Sequence, residues 1–244
     1  LQHGDELFQV YQPVVAAHGD EIVGLESLVR WRHPERGVVS PGTFIPEAEA
    51  SGLIRQLDQA VCRETVRQAA AWNAKGLDIG WISMNISAQS LSDPSCLQWI
   101  SRVLDGHPEL HPGQIVVEIT EHTAMQQVSR TDTLDRLKKD VGLSISIDDF
   151  GIGYSSLLYL RQFPADFLKI DMEFVKDVAT NAADQKVVQG IVALGDAFNM
   201  ELIAEGVETE PQEEWLRDAR CQYLQGYRFG KPAPAREVTE RLST

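Results

Sequence analysis

Short runs with a two-residue hydrophobic alternation recur along the chain, separated by longer stretches with helical spacing. This order constrains the fold more than any other feature. The short runs fall near residues 7–15, 21–31, 79–87, 114–120, 143–149, 166–171, 200–205 and 221–224. Helical patterns lie near 53–75, 93–105, 130–140, 155–162, 183–198, 210–219 and 235–242. Strands and helices in that alternation predict an α/β fold, a closed TIM-type (β/α)8 barrel, with an open doubly wound sheet as the alternative. The first junction breaks the pattern. Only Ala16-Ala17-His18-Gly19-Asp20 joins the first two runs, whereas a parallel crossover needs about a dozen residues. An antiparallel hairpin is therefore expected at the start of the barrel. The segments around Pro41–Pro46 and Pro232–Pro234 read as loops.

The 244 residues suit one large domain, 1–244, since single α/β barrels run to roughly 250 residues. Acidic side chains number 36 against 22 Lys and Arg, a formal net charge of −14. That balance argues against binding to nucleic-acid duplexes, which relies on cations neutralising phosphates. A phosphate-ester substrate would need metal ions to supply the positive charge. Cys62, Cys96 and Cys221 lack the paired spacing of a zinc site and are expected to be reduced thiols. No apolar stretch approaches the roughly 20 residues that span a bilayer. The opening Leu1-Gln2-His3-Gly4-Asp5-Glu6 lacks the features of a signal peptide. The chain is thus expected to be a cytoplasmic domain excised from a longer protein, whose other parts could include a membrane anchor.

Polar groups gather at strand ends. Glu26, Asn85, Glu118, the Asp148-Asp149 pair, Lys169 with Asp171, and Glu205 each close a different predicted strand. In a barrel the C-terminal strand ends open onto one face, so these groups converge there. Alternation puts Ser144, Ser146 and Asp148 on one side of their strand, with Ile145 and Ile147 on the other. Five carboxylates in one pocket repel unless they are protonated or bound to cations. With Asn85 they form an all-oxygen donor set without His or Cys, which selects Mg²⁺ or Mn²⁺ over zinc. A two-metal site suited to displacement at phosphorus fits this set. Lys169 could pair with a carboxylate or hold a water. Gly151 and Gly153 fit a tight turn as well as a phosphate loop. His33 and His122 are given structural roles, and Trp31, Trp72, Trp81, Trp99 and Trp215 packing roles.

These motifs resemble, over nearly the whole chain, the bacterial EAL domain, a phosphodiesterase family that hydrolyses cyclic di-GMP. The ordered matches are Tyr11-Gln12-Pro13, Glu26-Ser27-Leu28-Val29-Arg30-Trp31, Phe44-Ile45-Pro46, Asn85-Ile86-Ser87 and Glu118-Ile119-Thr120-Glu121. They continue with Asp148-Asp149-Phe150-Gly151, Lys169-Ile170-Asp171, Glu205-Gly206-Val207-Glu208-Thr209 and Gln225-Gly226-Tyr227. The resemblance implies a modified barrel with an antiparallel first strand. It further implies two Mg²⁺ or Mn²⁺ ions on Glu26, Asn85, Glu118, Asp148, Asp149 and Glu205, with Lys169 on the nucleophilic water. Gln12, Leu28, Arg30 and Glu208 would contact substrate, Arg30 through a phosphate. Glu121 would anchor the loop 149–156, and Gln225 would order waters at the metals. Ca²⁺, with longer bonds and weaker activation of water, is expected to bind without turnover and so to inhibit.

The same resemblance suggests a homodimer through the loop and helix at 149–162, and upstream sensory or GGDEF-type domains in a full-length protein. Two residues depart from the family pattern. Ser27 replaces the alanine of the signature, and Ile152 stands where Thr or another small residue is usual. Two rival readings stand beside the phosphodiesterase one: a catalytically silent cyclic di-GMP receptor, and an unrelated metal-using barrel acting on sugars or small acids. The intact ligand set and Lys169 disfavour the first. Glycoside hydrolysis uses a carboxylate pair, and the clustered acids with Asn85 and Lys169 disfavour it.

Overall fold

A computed structural model describes residues 6–19, 21–127, 132–151, 160, 161 and 163–243. Nine strands form one sheet: β1 (Leu7–Ala16), β2 (Ile22–His33), β3 (Gly37–Val39), β4 (Trp81–Asn85), β5 (Ile115–Thr120), β6 (Ser144–Phe150), β7 (Phe167–Ile170), β8 (Glu201–Ala204) and β9 (Tyr223–Gln225). Eight of them close a barrel in the order β1-β2-β4-β5-β6-β7-β8-β9 and back to β1, with β3 added to the outer edge of β2. All neighbouring pairs from β2 through β9 are parallel. Strand β1 runs antiparallel to both β2 and β9. The eight barrel strands coincide with the eight sequence-predicted runs, and the short 16–20 junction is the expected hairpin.

The helices are α1 (Pro41–Ser51), α2 (Ile54–Asn73), α3 (Ala88–Leu91), α4 (Cys96–Asp105), α5 (Glu121–Gln127), α6 (Asp132–Arg136), α7 (Met172–Val175), α8 (Ala182–Phe198), α9 (Glu210–Asp218) and α10 (Ala235–Leu242). Helix α6 runs into a π-helical turn over Leu137–Val141. In α2 the residues Ile54, Leu57, Val61, Val66 and Ala69 recur at helical spacing and are buried against the barrel wall. Asn181 caps α8 by accepting from the Ala183 N–H, and a Thr209–Gln212 capping box opens α9.

The Pro41–Pro46 segment is a correction. It is helical, because Pro41 occupies the first turn, where its missing donor costs nothing, and a left-handed Gly52 ends the helix. The segment around Pro232–Pro234 is a loop, as read, with one bridge between Ala233 and Tyr11. The helix expected at 155–162 falls mostly outside the described residues.

The main core lies between the barrel and its helices. A second, smaller cluster of Val14, Val116, Phe167 and Ile203, joined by Trp81 and Tyr223, fills the barrel below the mouth. Trp81 stacks on Phe167 at 5.0 Å and meets Tyr223 edge-on at 4.8 Å. Gly24 makes room for this floor, since a Cβ there would lie 2.4 Å from the Trp81 ring. Cys62, Cys96 and Cys221 are free and buried. Among the described residues no helix is long and apolar enough to cross a membrane.

Candidate active site

The parity that sends Trp81, Val116, Phe167, Ile203 and Tyr223 to the barrel floor also sends Ser83, Glu118, Lys169, Glu205 and Gln225 upward along the same inner face. Adjacent strands place the polar groups side by side. Gln12 on β1 faces Glu26 on β2, Asn85 on β4 faces Glu118 on β5, and Glu118 faces Ser146 on β6.

Lys169 stands at the centre and is 1% exposed. Its Nζ lies 2.6 Å from Glu205 Oε1, 3.2 Å from Glu118 Oε2, 3.3 Å from Asp148 Oδ1 and 3.5 Å from Glu26 Oε2. Burial alone would lower the lysine pKa, but Asp148, Glu118, Glu205 and Glu26 together hold it well above the ordinary value. The ammonium therefore stays charged. Asn85 Nδ2 reaches Glu26 Oε1 and Glu118 Oε2, both at 3.4 Å, and Gln225 Nε2 donates to Glu26 Oε2 at 2.7 Å.

Asp148 and Asp149 are consecutive, and a regular strand would point them to opposite faces. The pairing of β6 with β7 slips between Ile147 and Phe150, and Asp149 has a left-handed φ of 55°. This irregularity turns Asp149 back toward the mouth, as bulges do. Ligand atoms of Asp148, Asp149 and Glu205 then lie within 4.8 Å of one another. Burial, and then the neighbouring carboxylates Asp148 and Asp171, push Asp149 up to about 6. Burial is also the main influence on Glu205, pushed up to about 8 against the opposing pull of Lys169. Glu118 is raised well above the carboxylate range for the same reason.

These observations bear on whether the residues fit divalent cations. Five carboxylates face one ammonium, and burial, followed by repulsion from neighbouring carboxylates, raises Glu118, Asp149 and Glu205. The donors are oxygen throughout. Gln225 Oε1 and Ser146 Oγ are buried and accept nothing from the protein, so polar capacity is left for water or ions. The set fits hard cations.

The Glu121 carboxylate, at the start of α5, accepts the Gly151 N–H at 3.0 Å and ties the end of β5 to the end of β6. Gly151 has φ 105°, and a Cβ there would come within 2.7 Å of Phe174, which favours the tight-turn reading. Gly153, Ile152 and nearly all of the loop and helix assigned to dimer contact lie outside the described residues. Leu28 and Arg30 follow Glu26 on the same strand face, and Arg30 Nη1 donates to Val29 O at 2.9 Å. Gln12 Nε2 donates to Gly230 O at 3.3 Å. Glu208 is exposed on the loop after β8. None of these four enters the Lys169 cluster.

For two residues the structure adds roles that the sequence reading did not assign. Asp171 is buried, caps α7 through the Glu173 N–H at 2.7 Å, and hydrogen-bonds the Asp149 carboxylate. Its position two residues after Lys169 was the available signal. Ser27 does not face the mouth. Its hydroxyl donates to Gln9 Oε1 at 2.6 Å and accepts from Thr65 Oγ1 at 3.0 Å, in a buried network between β1, β2 and α2. The hydroxyl that departs from the family's alanine is thereby satisfied. His33 takes its structural role, with Nδ1 accepting from the Glu35 and Arg36 N–H groups of the β2–β3 turn.

The EAL domain family model matches residues 1–232. The Pseudomonas aeruginosa protein MucR, named a bifunctional diguanylate cyclase/cyclic di-GMP phosphodiesterase, is 41% identical over 228 residues, covering 93% of this chain and 33% of that protein. The Escherichia coli cyclic di-GMP phosphodiesterase PdeR is 39% identical over 232 residues, covering 95% of this chain and 34% of PdeR. The chain thus spans about a third of the length of these relatives. The solved structure of the MucR phosphodiesterase with cyclic di-GMP superposes with a TM-score of 0.90 at 41% identity, covering 96% of this chain and 94% of that one.

Proposed function

The chain belongs to the EAL domain family, and we propose that it is a metal-dependent phosphodiesterase that opens cyclic di-GMP to the linear dinucleotide pGpG. The observation that carries this reading is the buried Lys169 ammonium ringed by Glu26, Glu118, Asp148 and Glu205 at a single barrel mouth. Relatives at about 40% identity named as cyclic di-GMP phosphodiesterases support the choice of substrate.

Glu26, Asn85, Glu118, Asp148, Asp149 and Glu205 would hold two Mg²⁺ or Mn²⁺ ions. Bound there, such ions would lower the pKa of a water and offset charge on the attacking and leaving oxygens of an in-line displacement. Lys169 donates its N–H bonds to the water that attacks phosphorus and holds it in place. Its permanent charge adds to the field felt by the phosphorane-like transition state. Gln225 fixes the Glu26 carboxylate from one side and orders water with its remaining oxygen. Arg30 contacts a phosphate, while Gln12, Leu28 and Glu208 line the approach to it. Glu121 holds the loop that follows Asp149 in register.

The rest of the reading rests on the family. It comprises a single phosphodiesterase domain over 1–244, a cytoplasmic setting, a homodimer through 149–162 and upstream GGDEF-type or sensory domains in a longer protein. The name of MucR, which joins a cyclase to a phosphodiesterase, is in keeping with the last of these. The receptor reading draws no support from the site, since each family ligand position keeps its donor.

The test is chromatography of the reaction with cyclic di-GMP in Mg²⁺ or Mn²⁺, beside a chelated control and Glu26→Ala. Metal-dependent formation of pGpG that Glu26→Ala reduces at least a hundredfold is the expected outcome. Full activity in the variant or in chelator would refute the assignment.

A further inference from the structure

Asn85 is exposed at the mouth, and its amide reaches Glu26 and Glu118 only across 3.4 Å. Contacts that long do little to fix a side chain, so its position depends on the backbone that carries it. That backbone is held twice. The Ile86 N–H donates to Glu118 O at 3.0 Å, which ties the end of β4 to β5. The next residue, Ser87, is held from the helix layer by Asp58 of α2, whose Oδ2 accepts the Ser87 N–H at 3.0 Å and the Ser87 hydroxyl at 2.6 Å. Ser87 also opens α3, its Oγ accepting the Ser90 N–H at 3.2 Å and its carbonyl the Leu91 N–H at 3.1 Å. Every polar group of Ser87 is thereby engaged.

Asp58 is 5% exposed, among the buried Ile54, Leu57, Val61 and Cys62 of the same helix. Among the described residues no Lys or Arg pairs with it. Burial raises its pKa, and hydrogen bonds, that of the Ser87 hydroxyl first among them, oppose the rise. A carboxylate buried without an ion pair is costly, and an apolar residue would serve the packing of α2 better. The carboxylate does what an apolar side chain cannot, which is to grip the end of β4 from outside the barrel.

We propose that Asp58 is a positioning residue for Asn85: by fixing Ser87, it holds the Asn85 amide where a divalent cation can be bound. The inference rests on the reading of Asn85 as a cation ligand and adds to it the residue that supports that ligand. Partners that orient a metal ligand typically contribute roughly ten- to a hundredfold in metal affinity. Asp58 acts through two residues of backbone, so its effect belongs at the lower end.

The test measures Mn²⁺ affinity without substrate, from the electron paramagnetic resonance signal of the free ion. The proteins compared are the wild type, Asn85→Ala, Asp58→Ala, Asp58→Asn, and Asn85→Ala combined with each Asp58 variant. Asn85→Ala and Asp58→Ala should each weaken Mn²⁺ binding roughly tenfold. Their combination should fall within about twofold of either alone, since a residue that acts only through Asn85 then has nothing left to position. Asp58→Asn keeps an accepting oxygen without the charge and should lose about threefold. At saturating Mn²⁺ its KM for cyclic di-GMP should stay within about twofold of wild type, because the effect falls on the metal. Melting temperatures in chelator check the folds, and if Asp58→Ala does not fold, Asp58→Asn carries the same comparison. Wild-type Mn²⁺ affinity in the folded Asp58 variants, or losses that multiply in the double variants, would overturn the positioning role while leaving the phosphodiesterase reading intact. Wild-type affinity in Asn85→Ala would remove Asn85 from the ligand set and the proposal with it. A wild-type protein that binds Mn²⁺ but leaves cyclic di-GMP intact would refute the phosphodiesterase reading, while the double variants still decide the role of Asp58.

Discussion

Lys169 is the residue on which the electrostatics of the barrel turn. A buried ammonium beside four carboxylates leaves an excess of negative charge, and the protein answers it by retaining protons on Asp149 and Glu205 well above the usual carboxylate range. Their values of about 6 and about 8 arise first from burial and then from neighbouring carboxylates. Unfolded carboxylates titrate near pH ~4. Between that value and about 8 the folded metal-free protein therefore binds more protons than the unfolded chain, so its stability falls as pH rises through this window. Divalent ions compete with those protons and bind better as they leave. The gap between melting temperatures in Mg²⁺ and in chelator should accordingly widen from pH 5 to pH 8, read by scanning calorimetry. A gap independent of pH would count against Asp149 and Glu205 as cation ligands. At this scale the sequence was highly legible, because strand parity and strand-end position name Glu26, Asn85, Glu118, Lys169 and Glu205 without any coordinates. Asp149 needed more. Simple alternation puts it on the wrong face, and only the slipped β6–β7 register and its positive φ bring it round. Asp171 is named beside Lys169 at its strand end, but strand-end position alone does not show that it caps α7 and meets Asp149.

The strands supply two layers to the barrel interior, and each depends on the other. The rings of Trp81, Phe167 and Tyr223 pack together in the lower barrel, beneath the buried Lys169 and Glu118. On β2 the wall makes room for Trp81 at Gly24, where a Cβ would lie 2.4 Å from the ring. Gly24→Ala would drive a methyl group into the indole, and the floor would shift or the strand bulge outward. A loss of about 1–3 kcal/mol in urea denaturation is expected, with activity falling further than a remote surface variant of equal stability would show. An unperturbed midpoint would mean that the floor is loosely packed. Element prediction succeeded for the eight barrel strands because period-two alternation survives in each. It failed at α1, where the proline-rich 41–46 segment reads as a loop, although the first helical turn tolerates proline and Pro46 stands within the helix. It also passed over β3, whose three residues are too few to establish a period.

At the scale of the whole molecule, a formal charge of −14 and a mouth lined with carboxylates are ill suited to the phosphodiester substrate proposed above. The conflict is relieved only where cations intervene. Lys169 supplies one positive charge inside the barrel, and Arg30 and Lys231 supply others at the rim. On the reading proposed above, divalent ions would do two separable jobs: they would neutralise the mouth so that substrate can enter, and they would activate the water that attacks it. Ca²⁺ separates the two, since it satisfies oxygen ligands at longer distance and with higher coordination but acidifies water poorly. Titration with Ca²⁺ should raise the melting temperature and permit cyclic di-GMP binding, while pGpG formation stays at least a hundredfold below the rate in Mg²⁺. Added to a Mg²⁺ reaction it should inhibit, with an inhibition constant that tracks its stabilising effect on the fold. Hydrolysis with Ca²⁺ alone at a rate near that with Mg²⁺ would place the burden of activating water on the protein, and Lys169 would then have to be reconsidered as more than a holder of the nucleophile.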